Sequence, residues 1–175
     1  MTYQAPAAAS TRTLSDTDFA TAIGDRYFED YTAGAVYEYG HITVTEAQIV
    51  EFAQRFDPQP IHTDPGFAAT GPFGGLIASG WHTAGILMRL FADHYLSRVA
   101  SLASPGVDEL RWPAPVRPGD ALRLRTTTVQ ARPSRSKPDR GIVHTKAELI
   151  NQGDQVVLHL VAMNLLLRRQ ARDGS

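Results

Sequence analysis

The sequence predicts an α+β domain in which one bent antiparallel sheet wraps a single long helix. Three observations carry that prediction. The stretch from Trp81 to Ser97 reads as one helix, apolar over a wide arc, with Arg89 and Asp93 as its chief polar positions. Such a helix is mostly buried. Four segments in the second half of the chain, Val107 to Trp112, Leu122 to Thr128, Val143 to Leu149 and Gln155 to Arg168, read as strands joined by turns and loops. Only one short helix precedes this arrangement, so a sheet that curves around the long helix is the packing that buries both.

The elements follow in order along the chain. The first eighteen residues are rich in Ala, Ser and Thr without periodicity and are expected to form a loose arm over 1–18. Tyr27, Phe28, Tyr31 and a turn at Gly34 open a single domain spanning 19–170, followed by a flexible tail over 171–175. Val36 to Val44 is a strand. Thr45-Glu46-Ala47-Gln48 has the capping-box pattern, and Ile49, Phe52, Ala53 and Phe56 follow at helical spacing. In the long helix, Trp81, Ala84, Met88, Phe91 and Tyr95 form the main apolar stripe, widened by Ile86, Leu87 and Leu90. Leu122, Leu124, Thr126 and Thr128 alternate with Arg123, Arg125 and Thr127, and Val143, Thr145, Ala147 and Leu149 alternate with His144, Lys146 and Glu148. Asn151-Gln152-Gly153-Asp154 is a hairpin turn into the last strand.

Composition sets the outer limits. The chain has 175 residues, enough for one domain with a real core. Its net charge is −1 with acids and bases interspersed, which gives no electrostatic footprint for nucleic acid or an anionic membrane. It has no cysteine, which excludes a disulfide framework, a thiolate zinc site and a cysteine nucleophile. The most apolar run, Val156 to Leu167, contains His159 and Asn164 and reads as a buried strand rather than a membrane span. No secretory signal is visible, and the expected location is cytoplasmic.

The chemistry concentrates in Phe56-Asp57-Pro58-Gln59-Pro60-Ile61-His62. Two prolines fix φ and restrict the residues before them, so the segment is expected to be stiff and non-helical. A carboxylate and an imidazole five residues apart on such a loop suit acid–base work on one small molecule or one water. On spacing alone, a turn-closing Asp57 beside an ordinary loop His62 is the competing reading. Downstream, Gly71-Pro72-Phe73-Gly74-Gly75-Leu76-Ile77-Ala78-Ser79-Gly80 is a glycine-rich turn leading into the long helix. It lacks the Gly-Lys-Ser/Thr ending of a phosphate loop.

Phe52-Ala53, the Asp57-to-Asp64 segment and Phe73-Gly74-Gly75-Leu76-Ile77-Ala78-Ser79-Gly80 together resemble the hydratase signature of MaoC-like dehydratases, the hotdog-fold (R)-specific enoyl-CoA hydratases. Pro115-Val116-Arg117-Pro118-Gly119-Asp120-Ala121-Leu122 is similar to their strand–turn–strand element, and the likeness runs from about Gly34 to Leu167. The resemblance implies a hotdog fold, with the long helix as sausage and the sheet as bun. It implies a homodimer or a higher homo-oligomer such as a hexamer. The expected sheet pairing across that dimer rests on the apolar strand from Val156. The implied reaction is reversible syn hydration of a trans-2-enoyl-CoA, with Asp57 and His62 as the catalytic pair. The Gly80 N–H would polarise the thioester carbonyl. CoA is then part of the substrate, and no cofactor or metal is expected.

The sequence departs from the family pattern at three points. Where the family usually has Gly-Asp-x-Asn-Pro, this chain has Phe56-Asp57-Pro58-Gln59-Pro60. Ser79 stands in place of the usual histidine, and the helix opens with the bulky Trp81-His82. Gln59, Phe73, Gly75, Ser79 and Trp81 are the expected pocket residues, favouring short, branched or functionalised acyl groups. Arg135, Lys137 and Arg140, in the basic loop Arg132 to Arg140, are candidates for the CoA phosphates, against a solvated hairpin loop. Asp64 has two readings, orienting His62 or forming an Asx turn before Pro65. His82 is expected to be a packed, hydrogen-bonded residue. A hotdog acyl-CoA thioesterase and a non-catalytic acyl-binding protein are the rival functions.

Overall fold

The computed structural model describes residues 19–169, so the arm expected over 1–18 and the tail expected over 171–175 lie outside the described residues. Strand β1 is Val36–Thr43. Three helices follow: α1, Glu46–Phe56; α2, Pro60–Thr63; and α3, Pro65–Thr70. The long helix α4, Gly80–Leu90, runs on as one π-helical turn over Phe91–Tyr95, and then come β2, Ser101–Arg111, β3, Ala121–Pro133, β4, Arg140–Ile150, and β5, Val156–Leu167. All strand pairings in the sheet are antiparallel, in the order β1-β3-β4-β5-β2.

The predicted alternation sets the sheet's two faces. Leu122, Leu124, Thr126 and Thr128 of β3, and Val143, Thr145, Ala147 and Leu149 of β4, are buried in the concave face. Against it lie Thr83, Ile86, Leu87, Leu90, Phe91 and Tyr95 of the long helix. Buried hydroxyls there satisfy one another: the Tyr95 hydroxyl shares hydrogen bonds with Thr128 Oγ1 at 2.8 Å and Thr145 Oγ1 at 2.9 Å. On the outer face, Arg123 and Arg125 both pair with Glu38 across β1 and β3. The predicted capping box is present at α1: the Gln48 N–H donates to Thr45 Oγ1, and the Gln48 side chain accepts from the Thr45 N–H.

Three expectations are corrected. The segment after Asp57 is not wholly non-helical, because Pro60 begins the turn α2 and His62 lies within it. Proline at the first position of a helix loses no hydrogen bond and already has helical φ. The helical stripe is only partly buried: Trp81 is 61% and Met88 49% exposed, because the face of α4 that carries them is left largely uncovered by the described chain, while Ile86, Leu87 and Leu90 are buried. The strand from Val156 is internal, so the sheet edges are β1 and β2 rather than β5. All of β2 except Leu110 is exposed.

Gly141 on β4 faces Phe28 so closely that a Cβ would fall 2.0 Å from Phe28 Cδ2. Gly141→Ala must therefore displace a core aromatic. Overpacking of this kind costs roughly 1–3 kcal/mol, and thermal unfolding is expected to shift down by about 3–10 °C. An unchanged melting temperature would refute this account of the contact.

Candidate active site

The site is built where α1 ends and α4 begins. Asp57 caps the C-terminus of α1, its N–H donating to the Ala53 carbonyl at 2.9 Å. Gln59 is extended, as the residue before a proline should be, and its Nε2 donates to Asp57 Oδ1 at 2.6 Å. The α2 turn then carries His62 inward, where it is buried. His62 Nδ1 lies 2.8 Å from the Ile77 carbonyl oxygen. A carbonyl only accepts, so Nδ1 carries a proton, and in the neutral ring the lone pair is on Nε2. Nε2 faces Asp57 Oδ2 at 3.5 Å. That separation is too long for a good direct hydrogen bond and short enough for one water to meet both groups.

Four consecutive residues, Ile77 to Gly80, hold this arrangement. The Ile77 carbonyl takes the His62 proton, and the Ala78 N–H donates to the Val116 carbonyl at 2.8 Å. Ser79 Oγ donates to Asp57 Oδ2 at 2.6 Å, and the Gly80 carbonyl accepts from Trp112 Nε1 at 2.8 Å. Ser79 is the N-cap of α4: its Oγ also accepts from the Trp81 N–H at 3.2 Å. Among the described residues, nothing accepts the Gly80 N–H. It is a donor at the positive end of a helix, next to the carboxylate and imidazole. Hydrogen bonds from Ser79, then Gln59, together with the nearby His62, hold the Asp57 carboxyl below the ordinary carboxylate range against the opposing effect of its partial burial. It is therefore ionised at neutral pH.

The other predicted positions are distributed unevenly. Gln59 joins the carboxylate. Phe73 and Gly75 lie on a turn pinned by Arg117, whose Nη2 donates to the Phe73 carbonyl at 2.6 Å. Gly74 and Gly75 have φ of +61° and +152°, which accounts for both glycines. Ser79 does not line a pocket: it is 0% exposed and sits behind Asp57. Trp81 points outward, edge-on to Trp112 with ring centroids 5.6 Å apart. Arg135, Lys137 and Arg140 are not brought to the site. They lie on the β3–β4 hairpin, at the opposite end of the 13-residue strand β3 from the Val116 side of the site. There Arg140 pairs with Asp139.

Asp64 caps α3 by accepting from the Phe67 N–H at 3.0 Å and does not orient His62. His82 stacks on Phe52 with centroids 4.8 Å apart, but its buried Nδ1 has no hydrogen-bond partner among the described residues, and burial lowers its pKa. It lines a groove of about 300 Å³ between α1 and α4 with Phe52, Gly85, Ile86 and Arg89. That groove lies on a different face of α4 from Trp81, Ala84 and Met88. Trp112 and the Ile77 carbonyl are parts of the site that sequence reasoning missed. A tryptophan ending a strand and a backbone oxygen carry no local signal of what they meet in space.

With this geometry in place, the family can be read from comparison. The MaoC like domain matches residues 30–149. The chain belongs to the MaoC-like hydratase/dehydratase family. A relative, the 3-hydroxybutyryl-CoA dehydratase of Methylorubrum extorquens, is 30% identical over 152 residues, covering 84% of this chain and 88% of that protein. The crystal structure of the MaoC-like dehydratase from Rhodospirillum rubrum superposes with a TM-score of 0.77 at 40% identity, covering 83% of this chain and 99% of that one. A Mycobacterium tuberculosis protein described as a double hotdog fold matches with a TM-score of 0.70 at 21% identity, covering 89% of this chain and 47% of that one. That last likeness bears on the fold alone. The expected hotdog architecture is observed, and the dehydratase relatives place this MaoC-like chain in the hydro-lyase class.

Proposed function

We propose that the chain catalyses reversible syn addition of water to a trans-2-enoyl-CoA thioester. The observation that carries this reading is the junction of an ionised Asp57, the Nε2 of His62 and an unused Gly80 N–H at the start of α4. Hydration forms a bond from the water oxygen to C3 and one from a proton to C2, while negative charge builds on the thioester oxygen. Asp57 and His62 bracket the water, taking its proton and returning one to C2. The Gly80 N–H meets the developing oxyanion, aided by the helix dipole. No cofactor enters these steps. An assay with crotonyl-CoA tests the reading and its rivals. Loss of enoyl absorbance is expected. Release of free thiol would favour a thioesterase, and neither change would favour an acyl-binding protein.

The reading includes a two-fold dimer with the sheet continuing through β2. That edge strand is exposed, and Val107 and Leu102 on it, with Trp81, Met88 and Trp112 nearby in the fold, form uncovered apolar surface. Exposed edges and patches of this kind are protected by pairing. A partner covering this face would enclose Trp81 and Met88 and form the acyl pocket there. Trp81→Ala should then shift kcat/KM toward longer chains across C4 to C10 substrates by about 10-fold or more. Gly85→Leu, in the separate groove, should leave that preference unchanged. The reverse pattern, or a monomeric mass at micromolar concentration, would refute this part of the reading.

A further inference from the structure

We propose that Ser79 is a positioning residue that joins the Asp57 carboxylate to the start of α4, fixing where that carboxylate sits relative to the Gly80 N–H. The inference rests on the hydratase reading for its catalytic consequence, but its geometry stands apart from that reading.

Ser79 is separated from Asp57 by 22 residues and lies on a different element. Its single hydroxyl has one proton to give and lone pairs to accept with. The proton goes to Asp57 Oδ2 at 2.6 Å, and the oxygen accepts from the Trp81 N–H at 3.2 Å. Its carbonyl accepts from Thr83 through both N–H and Oγ1, at 3.0 and 3.2 Å. The residue is fully buried, so no solvent competes for these bonds. Asp57 Oδ1 is held by Gln59, so Ser79 fixes the oxygen that also faces His62. A short bond to an ionised acceptor is stronger than a neutral one and has a defined direction. The serine thus serves both as a helix cap and as a tether for the carboxylate.

These two roles separate experimentally. Glycine is nearly as good an N-cap as serine, whereas alanine is poor. Ser79→Gly therefore preserves much of the cap while removing the bond to Asp57, and Ser79→Ala removes both. Ser79→Thr keeps the hydroxyl. His62 on α2 is the titratable group facing Asp57. Arg55 on α1 lies over the Phe56 ring, and the Asp64 carboxylate is used by Phe67. A moved titration in the glycine variant therefore reports on the lost hydroxyl.

The expected result for Ser79→Gly is a melting temperature near wild type and a kcat for 2-enoyl-CoA hydration lower by roughly 10-fold or more, since sub-ångström misplacement is costly to catalysis. KM should stay within about twofold. The titration of the Asp57 carboxyl, followed by carbon-13 NMR, should move upward because a bond favouring its charged form is lost. Ser79→Thr should restore part of kcat and return the titration toward wild type. An unmoved titration in folded Ser79→Gly overturns the proposal, as does an unchanged kcat. If the wild-type protein does not hydrate enoyl-CoA thioesters, the functional reading fails. The NMR titration then still decides whether Ser79 holds Asp57, because it requires no turnover.

Discussion

Asp57→Asn and His62→Ala are each expected to lower hydration by about 10²–10⁴-fold while leaving the fold intact. The asparagine is close in shape to the carboxylate. Its amide presents one acceptor oxygen where the aspartate presents two, so either Gln59 or Ser79 must turn its donor away. Both can do so, Gln59 by flipping its amide and Ser79 by rotating its hydroxyl. The negative charge that would take and return a proton is lost. His62→Ala removes the Nε2 that faces Asp57 Oδ2, and it leaves the Ile77 carbonyl without its donor. Two groups acting on one water cannot be lost twice, so the double variant should be little worse than the poorer single. Steady-state rates and circular dichroism on the three variants check this. A folded single variant that retained more than about a tenth of wild-type activity would remove its residue from the mechanism.

Gly80→Ala is expected to have the next largest effect, and the reason differs from the one the sequence offers. Read as sequence, a glycine before a helix admits a close-approaching ligand. In the structure its missing side chain also makes room for Trp112. A Cβ at position 80 would lie 2.8 Å from Trp112 Cε2 and 3.0 Å from Nε1. The indole must move by several tenths of an ångström, loosening its bond to the Gly80 carbonyl. The Gly80 N–H survives the substitution, but the backbone that aims it loses its clamp. A misplacement of about 1 Å can cost about 10²-fold in rate, so the expected loss for this smaller shift is roughly 10-fold or more. With Gly80 in place, Trp112→Phe, which removes the bonded Nε1, should lower activity in the same direction. Adding Trp112→Ala to Gly80→Ala relieves the contact without restoring the clamp, so it should not rescue activity. A Gly80→Ala enzyme with wild-type kcat would show that the clamp has no bearing on the chemistry.

What the sequence made legible was local or periodic. The capping box at Thr45, the alternation in β3 and β4 and the long helix after Gly80 are patterns of a few residues, and the structure has all of them. Asp57, Gln59 and His62 sit within one short segment, so their proximity could be read before any fold was known. The partners that join them to the rest of the protein could not. Ser79 reads as a pocket residue from its place before the helix, and only the packing shows it buried behind Asp57. Trp81 reads as part of a buried stripe because periodicity does not distinguish a face covered by this chain from one it leaves open. The basic loop lies away from the Asp57–His62 junction within one protomer for a plain reason: a hairpin tip and the base of its strand are separated by the strand's length.

The segment from Ile77 to Gly80 divides the constraints on this protein in two. Three of its four residues act through backbone atoms: the Ile77 carbonyl, the Ala78 N–H and the two polar groups of the Gly80 backbone. Only Ser79 acts through its side chain. Substitutions at positions 77 and 78 are therefore limited by volume, both being buried, rather than by chemistry. The large side chains of Phe73 before the segment and of Trp81 and Met88 along α4 after it are exposed and support none of its hydrogen bonds. On the proposed reading, in which a partner closes the acyl pocket over this face, substrate range is expected to drift at those positions while the acid–base pair stays fixed. A scaffold whose supports for the catalytic side chains lie largely in the backbone, with large apolar side chains on the surface, is suited to diversification. On the proposed hydratase reading, a directed-evolution library confined to positions 73, 81 and 88 is expected to alter substrate range while leaving the Asp57–His62 pair in place.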